Sequence, residues 1–271
     1  QAQLASGGLR IESPHGNLSL AVSTVTRESA TPVYDLVVLA PKAYDLDDAI
    51  ASIIPAIGPA TNILPLLNGL AHMAILDSQF GRERVLGGVA HIAAMMTPEG
   101  TIKQLTDLHS LTVGARDPEA QAMAEDFSTL CRQARFDSRL TPDVESVLWE
   151  KWAFLSTLAG ITTLMRAPIG QIMDTDQGDH VVRTLYSECL AVATADGFPI
   201  GVASQQKALG MLTQRGSSFT ASMLRDLESG QRTEHDHIFG EMLKCASRHG
   251  ISIPLLEMAY TNMQIRQRGQ D

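Results

Sequence analysis

The spacing of apolar and polar positions changes character near residue 140. Ahead of it, short runs with a two-residue period alternate with helical stretches. LRIES (9–13) and NLSLAV (17–22) flank SPHG and predict a β-hairpin. YDLVVLA (34–40) is almost continuously apolar, as expected of a strand covered on both faces. AYDLDDAIASII (43–54) reads as helix, TNILPLL (61–67) as another buried strand, and a short helix comes next near 70–79. VLGGVAHIAAMM (85–96) predicts a long strand, TIKQL and SLTVGA two more, and PEAQAMAEDFSTLCRQA (118–134) an amphipathic helix. Beyond about 141 the strand signals stop. Helical patterns cover 142–165, 178–195, 201–213, 218–228, 233–249 and 254–268, separated by Pro168, Gly197–Pro199, Gly216, Gly230 and Gly250–Pro254. The expected fold is an α/β domain (1–140) followed by an all-helical domain (141–271), joined near Leu140–Pro142.

Composition narrows the function classes. With 44% hydrophobic and 19% charged residues, the 271-residue chain supplies a packed core without difficulty. A net charge of −9 argues against a general nucleic-acid-binding surface. The three cysteines, Cys131, Cys189 and Cys245, are far apart and form no CxxC pair, so neither a disulfide framework nor a zinc knuckle is expected. A reducing cytoplasm suits them. No run approaches membrane-spanning length, and the opening QAQLASGGLR lacks the apolar core of a signal peptide.

Within VESVLWEKWAFLSTLAG (144–160) a single lysine interrupts an oily face. Val144, Val147, Leu148, Lys151, Leu155 and Leu158 follow helical spacing, which puts Lys151 on the apolar stripe. No carboxylate stands three or four residues away to neutralise it. Two readings are open: a lysine that snorkels to water, or an ammonium held in a cleft and ready to donate a proton. Lys42 comes just after the strand at 34–40, and Asn68 just after the strand at 61–67. Ligands of open α/β sheets bind beyond strand carboxyl ends, so both are candidates for a phosphorylated or nicotinamide ligand; a solvated lysine and a simple Asn-Gly turn are the alternatives. In SSFTASMLRDLESGQRTEHDHIFGEML (217–243), Ser222 and Asp226 share a helix face. Thr233 is expected to cap the next helix, with Glu234, Asp236 and Glu241 near its positive end. His235-x-His237 invites a metal reading, but residues two apart on a helix diverge by about 200°, so no metal site is expected.

Taken together, VVLAPKAYDLDDAI, LPLLNGL, GGVAHIAAMMTPEGTI, LWEKWAFLSTLAG, SSFTASMLRDLESGQRTEHDHIFGEML and GISIPLLEMAY resemble the ketopantoate reductase (2-dehydropantoate 2-reductase) family over nearly the whole chain. The resemblance implies an N-terminal Rossmann domain, a helical C-terminal domain and an active site in the cleft between them. It implies NADPH-dependent reduction of a 2-oxo acid to a 2-hydroxy acid in pantothenate biosynthesis, and a homodimer is its expected assembly. Lys151 matches the family's general acid. Lys42, Asn68 and Glu234 would face the cofactor. Ser222 and Asn68 would face the substrate, and Asp226 would be structural. Three departures stand out. The asparagine expected four residues after the lysine is Leu155, and the ensuing Asn-Pro is Ala159-Gly160. Apolar groups there deprive a polar substrate of partners, which points to a 2-oxo acid with a more apolar tail. The family's opening strand and G-x-G-x-x-G turn find no counterpart. QAQLASGGLRIES matches the family segment downstream of that unit, so the Rossmann-like domain is expected to be truncated at its start by about 30 residues. A degenerate, non-catalytic binding or assembly protein is the alternative function, and a β-hydroxy acid dehydrogenase a weaker third.

Overall fold

The computed structural model describes residues 2–268, which divide into two compact units. The first comprises residues up to Pro41, Asp45–Leu66 and Leu76–Val144. The second comprises Lys42–Tyr44, Leu67–Ile75 and residues from Glu145 onward. Two short excursions of the early chain therefore belong with the later helices.

In the first unit, helix α1 (Ala2–Gly7) leads into the hairpin β1 (Leu9–Glu12) and β2 (Leu18–Leu20), whose strands pair antiparallel as expected. β3 (Leu36–Leu39), α2 (Leu46–Ile53) and β4 (Asn62–Pro65) come next, with β3 and β4 paired in parallel. α3 spans Ala71–Phe80, and β5 (Gly87–Met96) then pairs antiparallel with β6 (Ile102–Gly114). β6 is one strand, where the sequence pattern suggests two. The intervening Thr106–Leu108 is absorbed by a bulge: Ile92 faces His109, but Ala94 faces Gln104. A bulge keeps strand direction while setting extra residues out of the ladder. β7 (Asp137–Leu140) has no counterpart among the expected elements; it pairs in parallel with β6 after α4 (Gln121–Cys131). Its four residues, Asp-Ser-Arg-Leu, carry almost no apolar signal, and the pairing comes from the unsatisfied edge of β6. The core joins Leu64, Leu86 and Val113 to Ala120 and Ala124 of α4.

One ion pair in this unit is a strong stability element. Arg116 donates to both carboxylate oxygens of Asp77, at 2.6 and 2.8 Å, and its side chain is 5% exposed. Removing Arg116 strips two short charged hydrogen bonds from Asp77 and leaves it the looser Arg82 contact at 3.7 Å. Arg116→Ala is expected to lower unfolding free energy by about 3 kcal/mol, read as a lower urea midpoint at unchanged slope.

The second unit is helical, apart from its two excursions. α5 (Val144–Met165) is followed by α6 (Ile169–Met173), α7 (Gly178–Ala195), α8 (Val202–Leu212), α9 (Ser222–Glu228), α10 (Glu241–Arg248) and α11 (Pro254–Arg268). α6 is invisible to the sequence pattern because five residues cannot display a period. From Ser156 to Thr163 every residue of α5 is buried, so this half of the helix is the axle of the unit. Trp149 and Trp152 pack at 4.9 Å between ring centroids, and Leu185, Cys189, Leu256 and Ala259 line the same core. α11 starts on Pro254 and receives the buried Glu188 carboxylate, which accepts from the Leu255 and Leu256 N–H groups at 3.1 Å each. Those are orphan donors of a helix start, and an anion there also meets the positive end of the helix dipole. No helix among the described residues is long and apolar enough to cross a membrane.

Candidate functional site

Four segments of the second unit build one polar cluster: the Lys42–Tyr44 excursion, the Asn68-Gly69 turn, Lys151 on α5 and the stretch from Asp226 to Gly240. Glu234 is its centre. The Glu234 side chain is 6% exposed, and Oε1 accepts from the Ala43 N–H at 2.9 Å. Oε2 lies 3.6 Å from Lys42 Nζ and 3.5 Å from Asn68 Nδ2. Lys42 also donates to Asp226 Oδ2 at 2.9 Å. Burial pulls the Lys42 pKa down, but the attraction of Glu234 and the hydrogen bond to Asp226 outweigh it, so the net shift is upward. Lys42 is a fixed cation in this site.

Lys151 behaves differently. It is half-buried, beside half-buried Phe154 and Leu155, just before the fully buried length of α5. Desolvation lowers its pKa to about 8, with the Glu234 carboxylate opposing that fall. One carboxylate therefore serves two lysines, holding one charged and leaving the other close to its proton-transfer point.

The local backbone explains how Glu234 comes to lie there. Thr233 does not cap the following helix, contrary to the expectation from its sequence position. Its hydroxyl bonds His235 Nδ1 at 2.8 Å. The helix opens instead with a π-turn over Asp236–Gly240, closed by the Glu241 N–H to the Asp236 carbonyl, five residues back. π-turns widen the helix and free backbone groups, and they concentrate at functional sites. Within the turn, the Ile238 carbonyl accepts the Trp152 indole N–H at 3.0 Å. The residue after Lys151 is thus anchored to the turn just past Glu234.

His235 and His237 take different partners. His235 turns to Thr233 and lies 5.8 Å from the Tyr260 ring, whereas His237 Nε2 lies 3.4 Å from Nδ1 of His72 on α3. Both rings have lowered pKa values, chiefly through burial; for His237 the carboxylates of Glu234 and Glu241 oppose the fall. A pocket of about 670 Å³ opens beside the turn, lined by Tyr44, Arg232, Glu234, His237, Lys244 and Tyr260 among others. Arg232 lies over the Tyr44 ring, 4.4 Å from its centroid.

Of the residues singled out from sequence, Lys42, Asn68 and Glu234 meet directly, and Lys151 joins them through Glu234. Ser222 is exposed on the first turn of α9, and Asp226, one turn later, is the α9 residue that reaches Lys42. Asp226, merely structural by the resemblance, is the direct partner of a site lysine. His72 gives no signal in sequence, because an isolated histidine in NGLAHMAIL has no periodic or spacing cue. Leu155 lies one turn beyond Lys151 on the same face, half-buried; Ala159 is 3% exposed and belongs to the helical core.

The family profile "Ketopantoate reductase PanE/ApbA" matches residues 1–118, and "Ketopantoate reductase PanE/ApbA C terminal" matches residues 143–267. An "Uncharacterized oxidoreductase YkpB" of Bacillus subtilis is 33% identical over 267 residues, spanning 97% of this chain and 86% of that protein. A solved 2-dehydropantoate 2-reductase from Geobacter metallireducens superposes with a TM-score of 0.86 at 28% identity, covering 96% of this chain and 87% of the other. A D-mandelate dehydrogenase solved with NADH and anilino(oxo)acetate shares the fold, with a TM-score of 0.88 at 18% identity over 99% of this chain and 88% of the other. Profile matches over both parts of the sequence, together with these relatives, lead to one conclusion: the chain belongs to the ketopantoate reductase family.

Proposed function

We propose that the protein reduces a 2-oxo acid to a 2-hydroxy acid with NADPH, in the manner of a 2-dehydropantoate 2-reductase, and that Lys151 is the general acid. The observation that carries this reading is the state of Lys151: half-buried on α5, its pKa lowered to about 8 by desolvation, and within the field of the Glu234 carboxylate. An acid with a pKa near the working pH combines a populated protonated form with a real tendency to release the proton. As negative charge develops on the carbonyl oxygen, the Lys151 ammonium stabilises it and then donates to it.

The donor set suits a nicotinamide cofactor. Asn68 offers an amide, Glu234 a carboxylate able to accept from ribose hydroxyls, and Lys42 a fixed positive charge. When bound, that cofactor supplies the hydride received by carbon 2. Lys42, Asn68 and Glu234 would hold it, and Ser222 would hydrogen-bond the substrate. Leu155, apolar and one turn from the ammonium, favours a 2-oxo acid with an apolar substituent over one bearing polar groups at that end.

The test is a screen of 2-oxo acids by loss of reduced-nicotinamide absorbance, run with NADPH and with NADH. Turnover with at least one 2-oxo acid and preference for NADPH are expected. Saturable cofactor binding without turnover on any of them would leave a binding protein in place of an enzyme. Among active substrates, kcat/KM is expected to rise with apolar tail size. Leu155→Asn is expected to lower it for the apolar substrates by about 10-fold, the scale of one misplaced polar group.

A further inference from the structure

Glu234 and Asn68 are 166 residues apart in sequence, in segments 233–240 and 67–75, yet must present their polar atoms together. Their own contact, Asn68 Nδ2 to Glu234 Oε2, is long at 3.5 Å. A second link joins the two segments. His237, three residues past Glu234, meets His72, four past Asn68, through the 3.4 Å Nε2···Nδ1 contact, and the two rings stack with centroids 5.6 Å apart. The Asn68 backbone lies close enough to the His237 ring to favour its protonated form. Gly69, at φ +75°, leaves no room for a side chain: a Cβ would lie 2.9 Å from His237 Cδ2 and 3.0 Å from the His237 carbonyl oxygen. His72 is buried, so the contact is shielded from solvent.

We propose that His72 and His237 form a latch between the Asn68-Gly69 turn and the π-turn, making His237 a positioning residue that holds the Asn68 amide and the Glu234 carboxylate in register for the nicotinamide cofactor. The inference rests on the proposed function for its ligand, but not for its geometry. The latch also has a pH dependence. Around His237 stand Glu234 and Glu241 from its own helix, His72 from α3 and the Asn68 backbone; Lys42 and Lys151 face Glu234, and Lys244 is paired to Glu241 at 2.6 Å. Protonating both imidazoles removes the acceptor that their contact needs and sets two like charges together. The lowered His237 pKa puts this opening below the usual histidine range.

The experiment compares wild type with His237→Phe, which keeps a ring against Gly69 but has no nitrogens, His237→Gln, which restores an amide donor and acceptor, and the pair His72→Phe with His237→Phe. Three quantities are read: NADPH affinity by fluorescence titration across pH, the side-chain amide NMR signal of Asn68 in cofactor-free protein, and the thermal midpoint. The latch predicts about 10-fold weaker NADPH binding in His237→Phe and a displaced Asn68 signal, both largely restored in His237→Gln. It also predicts a double variant no worse than either single one, since residues acting as one unit are not additive. In wild type, affinity should fall at acid pH, and His237→Phe should abolish that fall. An Asn68 signal and pH dependence unmoved in His237→Phe would overturn the latch. So would binding lost in proportion to thermal stability, without rescue by glutamine. Should wild type bind cofactor yet reduce nothing, the proposed function fails while the latch is still read by binding. Should it bind no cofactor, the Asn68 signal alone decides.

Discussion

Lys151→Met is expected to lower kcat about 10²- to 10⁴-fold, the usual worth of a positioned proton donor, while making the folded protein more stable. The two effects have one cause. At neutral pH the folded chain carries a desolvated ammonium whose pKa has fallen from 10.5 to about 8. At 1.36 kcal/mol per unit, that charge costs the fold up to about 3 kcal/mol. Methionine removes the charge and keeps the stem, so the denaturation midpoint should rise, less whatever Glu234 loses in its attraction to Lys151. The direction with pH is set by the same shift. Between about 8 and 10.5 the unfolded chain binds the proton and the folded chain does not, so stability attributable to Lys151 rises with pH across that window. Turnover runs the other way, because donation needs the ammonium, and kcat should fall as pH passes about 8. Lys151→Arg separates charge from proton donation: guanidinium keeps the positive charge but does not release a proton near neutrality. Arginine should therefore be nearly as inactive as methionine. A methionine variant with wild-type turnover would remove Lys151 from the chemistry.

The second large effect is at Glu234. Ala43 N–H, Lys42 and Asn68 converge on its buried carboxylate, and Lys151 feels its charge. Glu234→Ala is expected to cost about 2–3 kcal/mol in stability, because hydrogen bonds to a charged acceptor lose their partner together. Glu234→Gln keeps an acceptor for the Ala43 N–H and loses only the charge, so its cost should be smaller. Its functional effect should not be small. Without the anion, the opposition of Glu234 to the desolvation of Lys151 is lost, and the Lys151 pKa should drop further below 8. The alkaline fall of kcat should then move to lower pH, measurable as a displaced pH–rate profile. An unchanged profile in Glu234→Gln would mean that the carboxylate does not govern the donor.

Much of this site is legible in the chain without coordinates, and the reasons are local. Lys151 announces itself because a charge on an apolar helical stripe conflicts with the pattern around it. Lys42 and Asn68 announce themselves because strand ends in α/β sheets are where ligands bind. The strands and longer helices obey their periods, and the hairpin its turn residues. The hidden features depend on contacts remote in sequence. β7 is held by pairing and not by its own four polar-rich residues. The union of Thr-Ile-Lys-Gln-Leu and Ser-Leu-Thr-Val-Gly in one strand depends on a bulge set by its neighbour. The π-turn cannot be distinguished in sequence from a normal helix start, and Thr233 resembles a cap until its hydroxyl is found on His235. His72 and His237 are 165 residues apart, and only the fold joins them.

The π-turn lets one continuous helical rod answer to two phases. Ahead of it Glu234 aims at lysines and an amide, and within it His237 meets an imidazole; after it, Met242, Cys245 and Ala246 sit in the hydrocarbon interior. At about 100° per residue, excising a single position between Asp236 and Gly240 would restore ordinary winding and force a choice between those two orientations. A protein so shortened could keep its oily seat only by swinging the carboxylate away from its lysines. Length, not chemistry, is what this segment can least spare.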